Sequence, residues 1–160
     1  MNLSDATTQP TQSHAGSPAT LDDLPELAEL LGVLFAQEDE FQADAELQSE
    51  GLRRILANPE AGRVLVWREK GHVVGMANVL FTVSTALGKR VAILDDFVVH
   101  PNSRGKGIGS QLLDAAIDLC KASGCARVSL HTDNSNIDAQ RLYERHGFRA
   151  STMLAMNLHL

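Results

Sequence analysis

No lysine or arginine precedes Arg53, and no apolar run approaches the ~20 residues that a membrane-spanning helix requires. The first twenty residues combine neither a basic start nor an apolar stretch, so they do not read as a secretory signal. Cysteine is scarce, with Cys120 and Cys125 the only two. They sit close together where a helix gives way to a turn, and no further ligands stand nearby. Neither a disulfide framework nor a metal site is expected, which leaves two reduced thiols in a cytoplasmic protein. His100, His131 and His146 form no metal pattern either; the helix dipole suffices to explain His146 at a helix C-terminus. The net charge of −6 speaks against a protein that mainly grips nucleic acid phosphates. Neither nucleic acid nor membrane is expected as a partner.

What is present reads as one soluble domain. The chain has 160 residues, 44% hydrophobic and 21% charged, enough for a single sizeable core. Acids crowd its early part: Asp22, Asp23, Glu26, Glu29, Glu38, Asp39, Glu40, Asp44, Glu46 and Glu50. They form either a solvated acidic face on two helices or a negative rim that draws in a cationic substrate. Residues 1–19 are rich in Thr, Ser, Gln, Pro and Gly and short of large apolar side chains. Such a segment cannot offset its ordering entropy, so a disordered tail is expected there, and a single domain over 20–160.

Periodicity then sets out the elements. Thr20 or Asp23 can cap a helix bearing Leu24, Leu27, Leu31 and Leu34; a weaker one carries Leu47, Leu52, Ile55 and Leu56. Val64–Trp67 and Val73–Val83 flank Lys70-Gly71 and predict a hairpin; Gly88-Lys89 turns into a strand over Val91–Val99. Ile108, Leu112, Ala116 and Leu119 mark an amphipathic helix that Gly124 stops. A strand over Val128–Thr132, a helix from Asn136 to His146 and a final strand over Met153–Leu158 complete the order. That order predicts an α/β fold, a mixed sheet with helices on both faces.

The turn Arg104-Gly105-Lys106-Gly107-Ile108-Gly109-Ser110 lies between a strand and a helix. Glycines there let a ligand approach amides that carry the positive end of the helix dipole, an arrangement suited to phosphate oxygens. A P-loop would end in Gly-Lys-Ser/Thr, whereas Ser110 and Gln111 follow Gly109. A dinucleotide fingerprint would lead to an acid ~20 residues on, whereas position 129 is Ser.

The stretch from Val98 to Gly109, with Arg104, Gly107 and Gly109 at fixed spacing, resembles motif A of the GNAT superfamily of N-acetyltransferases. A second match follows in Asn136, Ala139, Leu142, Tyr143, Gly147 and Phe148. The two in this order are highly specific, and the resemblance spans roughly residues 20–158. It implies a mostly antiparallel twisted sheet splayed between the fourth and fifth strands, with acetyl-CoA as co-substrate and no metal. It implies pyrophosphate on the amides of Gly105, Lys106, Gly107, Ile108, Gly109 and Ser110, with Arg104 and Lys106 near the phosphates. Pantetheine would pair along Phe97, Val98 and Val99 and pass Asn136 and Ala139, with a strand amide near Val98 stabilising the oxyanion. Tyr143, the only tyrosine, would protonate the leaving thiolate as general acid. Leu94-Asp95-Asp96-Phe97 is similar to the Leu-Glu-Asp-Phe stretch of the spermidine/spermine acetyltransferase branch, which makes Asp95 the candidate base. Strict alternation would place Asp95 with Ile93, Phe97 and Val99, and Asp96 with Leu94 and Val98. The acceptor would be the amine of a small molecule or peptide, cationic if the acidic rim is functional, and the chain is compatible with a homodimer. The alternative within the same fold is a non-catalytic acyl-CoA-binding sensor.

Overall fold

The computed structural model describes residues 16–38 and 40–160. In chain order the elements are β1 (Ser17–Pro18), α1 (Leu24–Phe35), α2 (Ala45–Ala57), β2 (Gly62–Glu69), β3 (His72–Ser84), β4 (Lys89–Val99), α3 (Ile108–Ala122), β5 (Val128–Leu130) and α4 (Ile137–Arg145). The sheet runs in the order β1-β2-β3-β4-β5, antiparallel throughout except for the parallel β4–β5 pair.

Alternation along the strands feeds two cores, one on each face. On the first face Leu65, Trp67, Ala77, Val79 and Leu94 pack under Ile108, Leu112, Leu113, Ala116 and Cys120 of α3 and Tyr143 of α4. On the second, Val64, Val66, Met76 and Val98 pack under Leu24, Leu27, Leu30 and Leu31 of α1 and Leu52 of α2. Each large side chain buried in this way contributes about 1.5–3 kcal/mol. Local capping sets where the helices start. Thr20 N–H donates to Asp23 Oδ2 at 2.7 Å ahead of α1, and Asp44 Oδ1 accepts from the amides of Glu46 and Leu47 at the start of α2. Asp23 also holds Arg68 of β2 at 2.8 Å, which pins the start of α1 to the sheet. Burial alone would push the Asp23 carboxyl up, but the Thr20 amide and the Arg68 guanidinium outweigh it and hold it below its usual value.

Four expectations need correction. Ser17 and Pro18 pair with Val66 and Leu65, so the sheet reaches into the segment 1–19 expected to be a tail; residues 1–15 lie outside the described residues. Leu47 is 70% exposed and packs no core, since only the Leu52 side of α2 faces the sheet. The strand expected over Val128–Thr132 stops at Leu130. The expected final strand over Met153–Leu158 is not formed. Met153, Leu154, Met156 and Leu158 stand at least 84% exposed, and the outer edge of β5 gains no partner among the described residues.

Candidate active site

β4 pairs with β5 only from Ala92↔Val128 to Leu94↔Leu130, so beyond Leu94 the β4 edge meets no strand among the described residues. At the same place β4 carries a bulge. Asn78 of β3 faces Asp96 while the next residue, Val79, faces Leu94, leaving Asp95 without a cross-strand partner. A bulge bends a strand and sharpens its twist, and β5 itself ends at Leu130, so β4 and β5 part company beyond Leu94. The result is the expected splay. The bulge also overturns the strict alternation expected for β4. Leu94, Phe97 and Val99 all pack on the α3 face, whereas Val98 packs under α1, and Asp96, two residues before it, joins Asn78 on that side. Asp96 therefore does not share a face with Leu94, and Asp95, the extra residue, falls outside the alternation. One extra residue cannot be read from period-two patterning.

The glycine turn closes one end of the opening. Gly105 and Gly107 adopt φ of 77° and 80°, the left-handed region that side chains disfavour, and Gly107 is the N-cap of α3. The first bond back into the helix runs from Gln111 N–H to Gly107 O, so the amides of Ile108, Gly109 and Ser110 precede any helical partner. Gly109 packs without crowding: a Cβ there would meet ordinary contacts, 3.7 Å from Leu142 and 3.9 Å from Val99. Side chains around the turn are tied into the protein. Arg104 Nε donates to Val99 O at 2.9 Å, and Lys106 Nζ and Ser103 Oγ both donate to Glu69. Ser110 Oγ bonds His146 Nε2 at 3.1 Å, and the Nδ1 of that ring bonds Leu142 O at 2.8 Å, so His146 joins α3 to α4.

Tyr143 comes from α4, and Asn136, seven residues earlier, is the N-cap of that helix. Asn136 Oδ1 caps α4 by accepting from the Ala139 amide at 3.1 Å. Tyr143 is buried and lies edge-on between Phe97 at 6.2 Å and Phe148 at 5.8 Å. Burial, and then the negative charge of Glu38, push its phenol up to about 12. A phenol in that state stays protonated through the whole working range.

Acids gather at the mouth. Burial pushes the Asp96 carboxyl up to about 6 against the lowering effect of the bond from Asn78, and the Asp95 charge adds to it. Asp95 is raised by burial too, with His131 opposing. Glu38, in the loop between α1 and α2, is raised by burial and by the charges of Asp96, Asp133, Glu40 and Asp95. For Asp96 the consequence for stability has a definite sign. Between the ordinary carboxyl value and about 6 the folded chain holds a proton that the unfolded chain has lost, so this residue costs stability as pH rises through that window.

Three members of this mouth escaped the sequence reading: Glu38 as a site residue, Asp133, and Asn78. Asn78 alone left a local signal, an amide inside the apolar run Met76-Ala77-Asn78-Val79-Leu80-Phe81. Among the described residues, no group of three or more His, Cys, Asp or Glu side chains could hold a metal.

Known proteins fit this geometry. The sequence model of the acetyltransferase (GNAT) family matches residues 24–148. An uncharacterized N-acetyltransferase of Bacillus subtilis, YhfO, is 35% identical over 128 residues, covering 78% of this chain and 85% of that protein. Spermine/spermidine N(1)-acetyltransferase of the same organism is 38% identical over 65 residues, 40% of this chain and 43% of that one. Among solved structures, an integron cassette protein from the mobile metagenome of Cole Harbour Salt Marsh superimposes with a TM-score of 0.79 at 26% identity, covering 91% of this chain and 90% of the other.

Proposed function

This chain belongs to the acetyltransferase (GNAT) family, and from that premise we propose that it moves the acetyl group of acetyl-CoA to the primary amine of a cationic acceptor. One observation carries the reading: the open edge of β4 runs toward a helix N-terminus capped by a left-handed glycine, whose first amides have no helical partner. Backbone donors and dipole there suit the pyrophosphate of the co-substrate. The unpaired edge from Phe97 to Val99 suits an extended pantetheine arm, which can bond to the strand as a neighbouring strand would. Arg104 and Lys106 flank the phosphates, Lys106 after release from Glu69. Asn136 and Ala139 line the arm from α4.

The chemistry then falls to few groups. The amine attacks the thioester carbon, and a backbone amide on the open edge of β4 steadies the developing oxyanion. Tyr143 gives its proton to the departing sulfur. Asp95, the bulged and more open carboxylate, receives protons leaving the acceptor and passes them to water. Glu38, Asp95, Asp96 and Asp133 at one mouth favour a positively charged acceptor. The partial likeness to the spermine/spermidine enzyme supports that choice.

Release of free thiol from acetyl-CoA, followed against a panel of diamines, monoamines, amino acids and peptide N-termini, tests the assignment. Amine-dependent release with diamines among the best acceptors is expected. Acetyl-CoA binding without release for any amine would leave only a CoA-binding module.

A further inference from the structure

We propose that Asp96, oriented by Asn78, is the carboxylate that first takes the proton from the acceptor's ammonium group, with Asp95 as its outlet to solvent. The inference rests on the acetyl-transfer reading above and assigns the base within it.

Asn78 and Asp96 face each other directly across β3 and β4, and Asn78 Nδ2 donates to Asp96 Oδ2 at 2.8 Å. Asn78 is 2% exposed, and its Oδ1 has no hydrogen-bond partner among the described residues. Burying a lone amide oxygen is costly, and an apolar side chain would suit this place between Ala77 and Val79 better on packing alone. What an amide offers here is two-sidedness. It donates to a carboxylate and, rotated by half a turn, accepts from a carboxylic acid. Asn78 can thus hold Asp96 in one place in both of its protonation states. No such partner exists for Asp95. It is the extra residue of the bulge, is exposed, and its side chain makes no hydrogen bond among the described residues. It is therefore free to exchange protons with water.

The acidity of Asp96 fits the role, since a base is most effective when its pKa lies near the working pH. The titratable groups that act on it are Asp95 on its own strand and Glu38 on the α1–α2 loop; His131, beyond β5, acts on Asp95, and Glu38 in turn feels Glu40 and Asp133 and acts on Tyr143 of α4. The proton balance closes. The ammonium gives one proton to Asp96, and its freed electron pair forms the N–C bond. As the C–S bond breaks, sulfur takes the proton of Tyr143. The second surplus proton on nitrogen restores the phenol through water, while Asp96 discharges through Asp95. Ammonium and thioester become amide, thiol and one released proton.

Carboxyl-carbon NMR titration together with pH profiles of kcat/KM, on wild type, Asn78→Ala, Asn78→Thr, Asp95→Asn and Asp96→Asn, tests this. The Asp96 resonance is expected to titrate at about 6. Asn78→Ala removes a donor from the carboxylate. Its Asp96 resonance and the acidic limb of kcat/KM should both move up by about one pH unit, with KM for acetyl-CoA unchanged. Asn78→Thr, which keeps a hydroxyl and suits a strand, should bring both back. Asp96→Asn should erase the limb and lower kcat by ~10²-fold or more, while Asp95→Asn keeps the limb in place. A limb erased by Asp95→Asn but retained by Asp96→Asn overturns the proposal, as does a limb that stays put when the Asp96 resonance moves. Wild-type protein that releases thiol with no amine sinks the acetyl-transfer reading and this one together. Amine-dependent release at the wild-type rate in Asp96→Asn sinks only this one.

Discussion

Tyr143 is a weaker acid in place than in water, because burial and the Glu38 charge both favour the neutral phenol. Each unit of that shift makes proton donation tenfold less favourable. In the proposed reaction a cationic nitrogen brought beside the ring would oppose the Glu38 charge and make the phenol a better donor. Tyr143→Phe keeps the edge-on contacts with Phe97 and Phe148 and removes only the hydroxyl. It should lower kcat by ~10²–10⁴-fold, as loss of a general acid does, while calorimetry shows acetyl-CoA affinity unchanged. An unaltered rate would assign the proton to water and leave Tyr143 to packing.

At the scale of elements, the start of α3 is the part most sensitive to shape. Gly107 holds φ of 80° where a side chain is strained, although the space beside it is open, with Gln111 Nε2 the nearest atom at 3.7 Å. Gly107→Val should therefore fold, with a frayed first turn, but should turn the amides of Ile108 to Ser110 away from a shared focus. Acetyl-CoA affinity measured by calorimetry is expected to fall at least tenfold with a small change in melting temperature. Wild-type affinity in that variant would move the phosphate site elsewhere. The neighbouring β4 shows the opposite case, where an element depends on its partner strand. Its existence is plain from Val91 to Val99, but the bulge at Asp95 depends on where β3 places Asn78 and Val79.

Over the whole molecule, charge is unevenly spread. The net charge is −6, and the described residues ahead of Arg53 contain no lysine or arginine to neutralise Glu38 and Glu40. A field of one sign over a cleft concentrates the opposite charge, and salt shortens its reach. For a diamine acceptor kcat/KM should fall severalfold between low and high ionic strength. For a neutral-chain amine of matched length it should start lower and change little. Equal values that salt does not move would reduce the acids to a solvated face and leave the acetyltransferase assignment standing.

The sequence by itself determined what local chemistry can carry. Its glycine turn leading into an apolar-periodic helix placed the α3 N-terminus, Lys70-Gly71 placed the hairpin, and the stretch between Asn136 and Gly147 placed α4. These features survive because each depends on residues a few positions apart. Tertiary structure decided the rest. Strand register inserted the bulge that separates Asp95 from Asp96, chain return brought Glu38 toward Tyr143, and pairing with β2 drew Ser17 and Pro18 into the sheet. Such outcomes depend on contacts between distant segments. The protonation of Asp96 is set by burial under α1 and by an amide eighteen residues away, and neither can be seen from the Leu-Asp-Asp-Phe stretch alone.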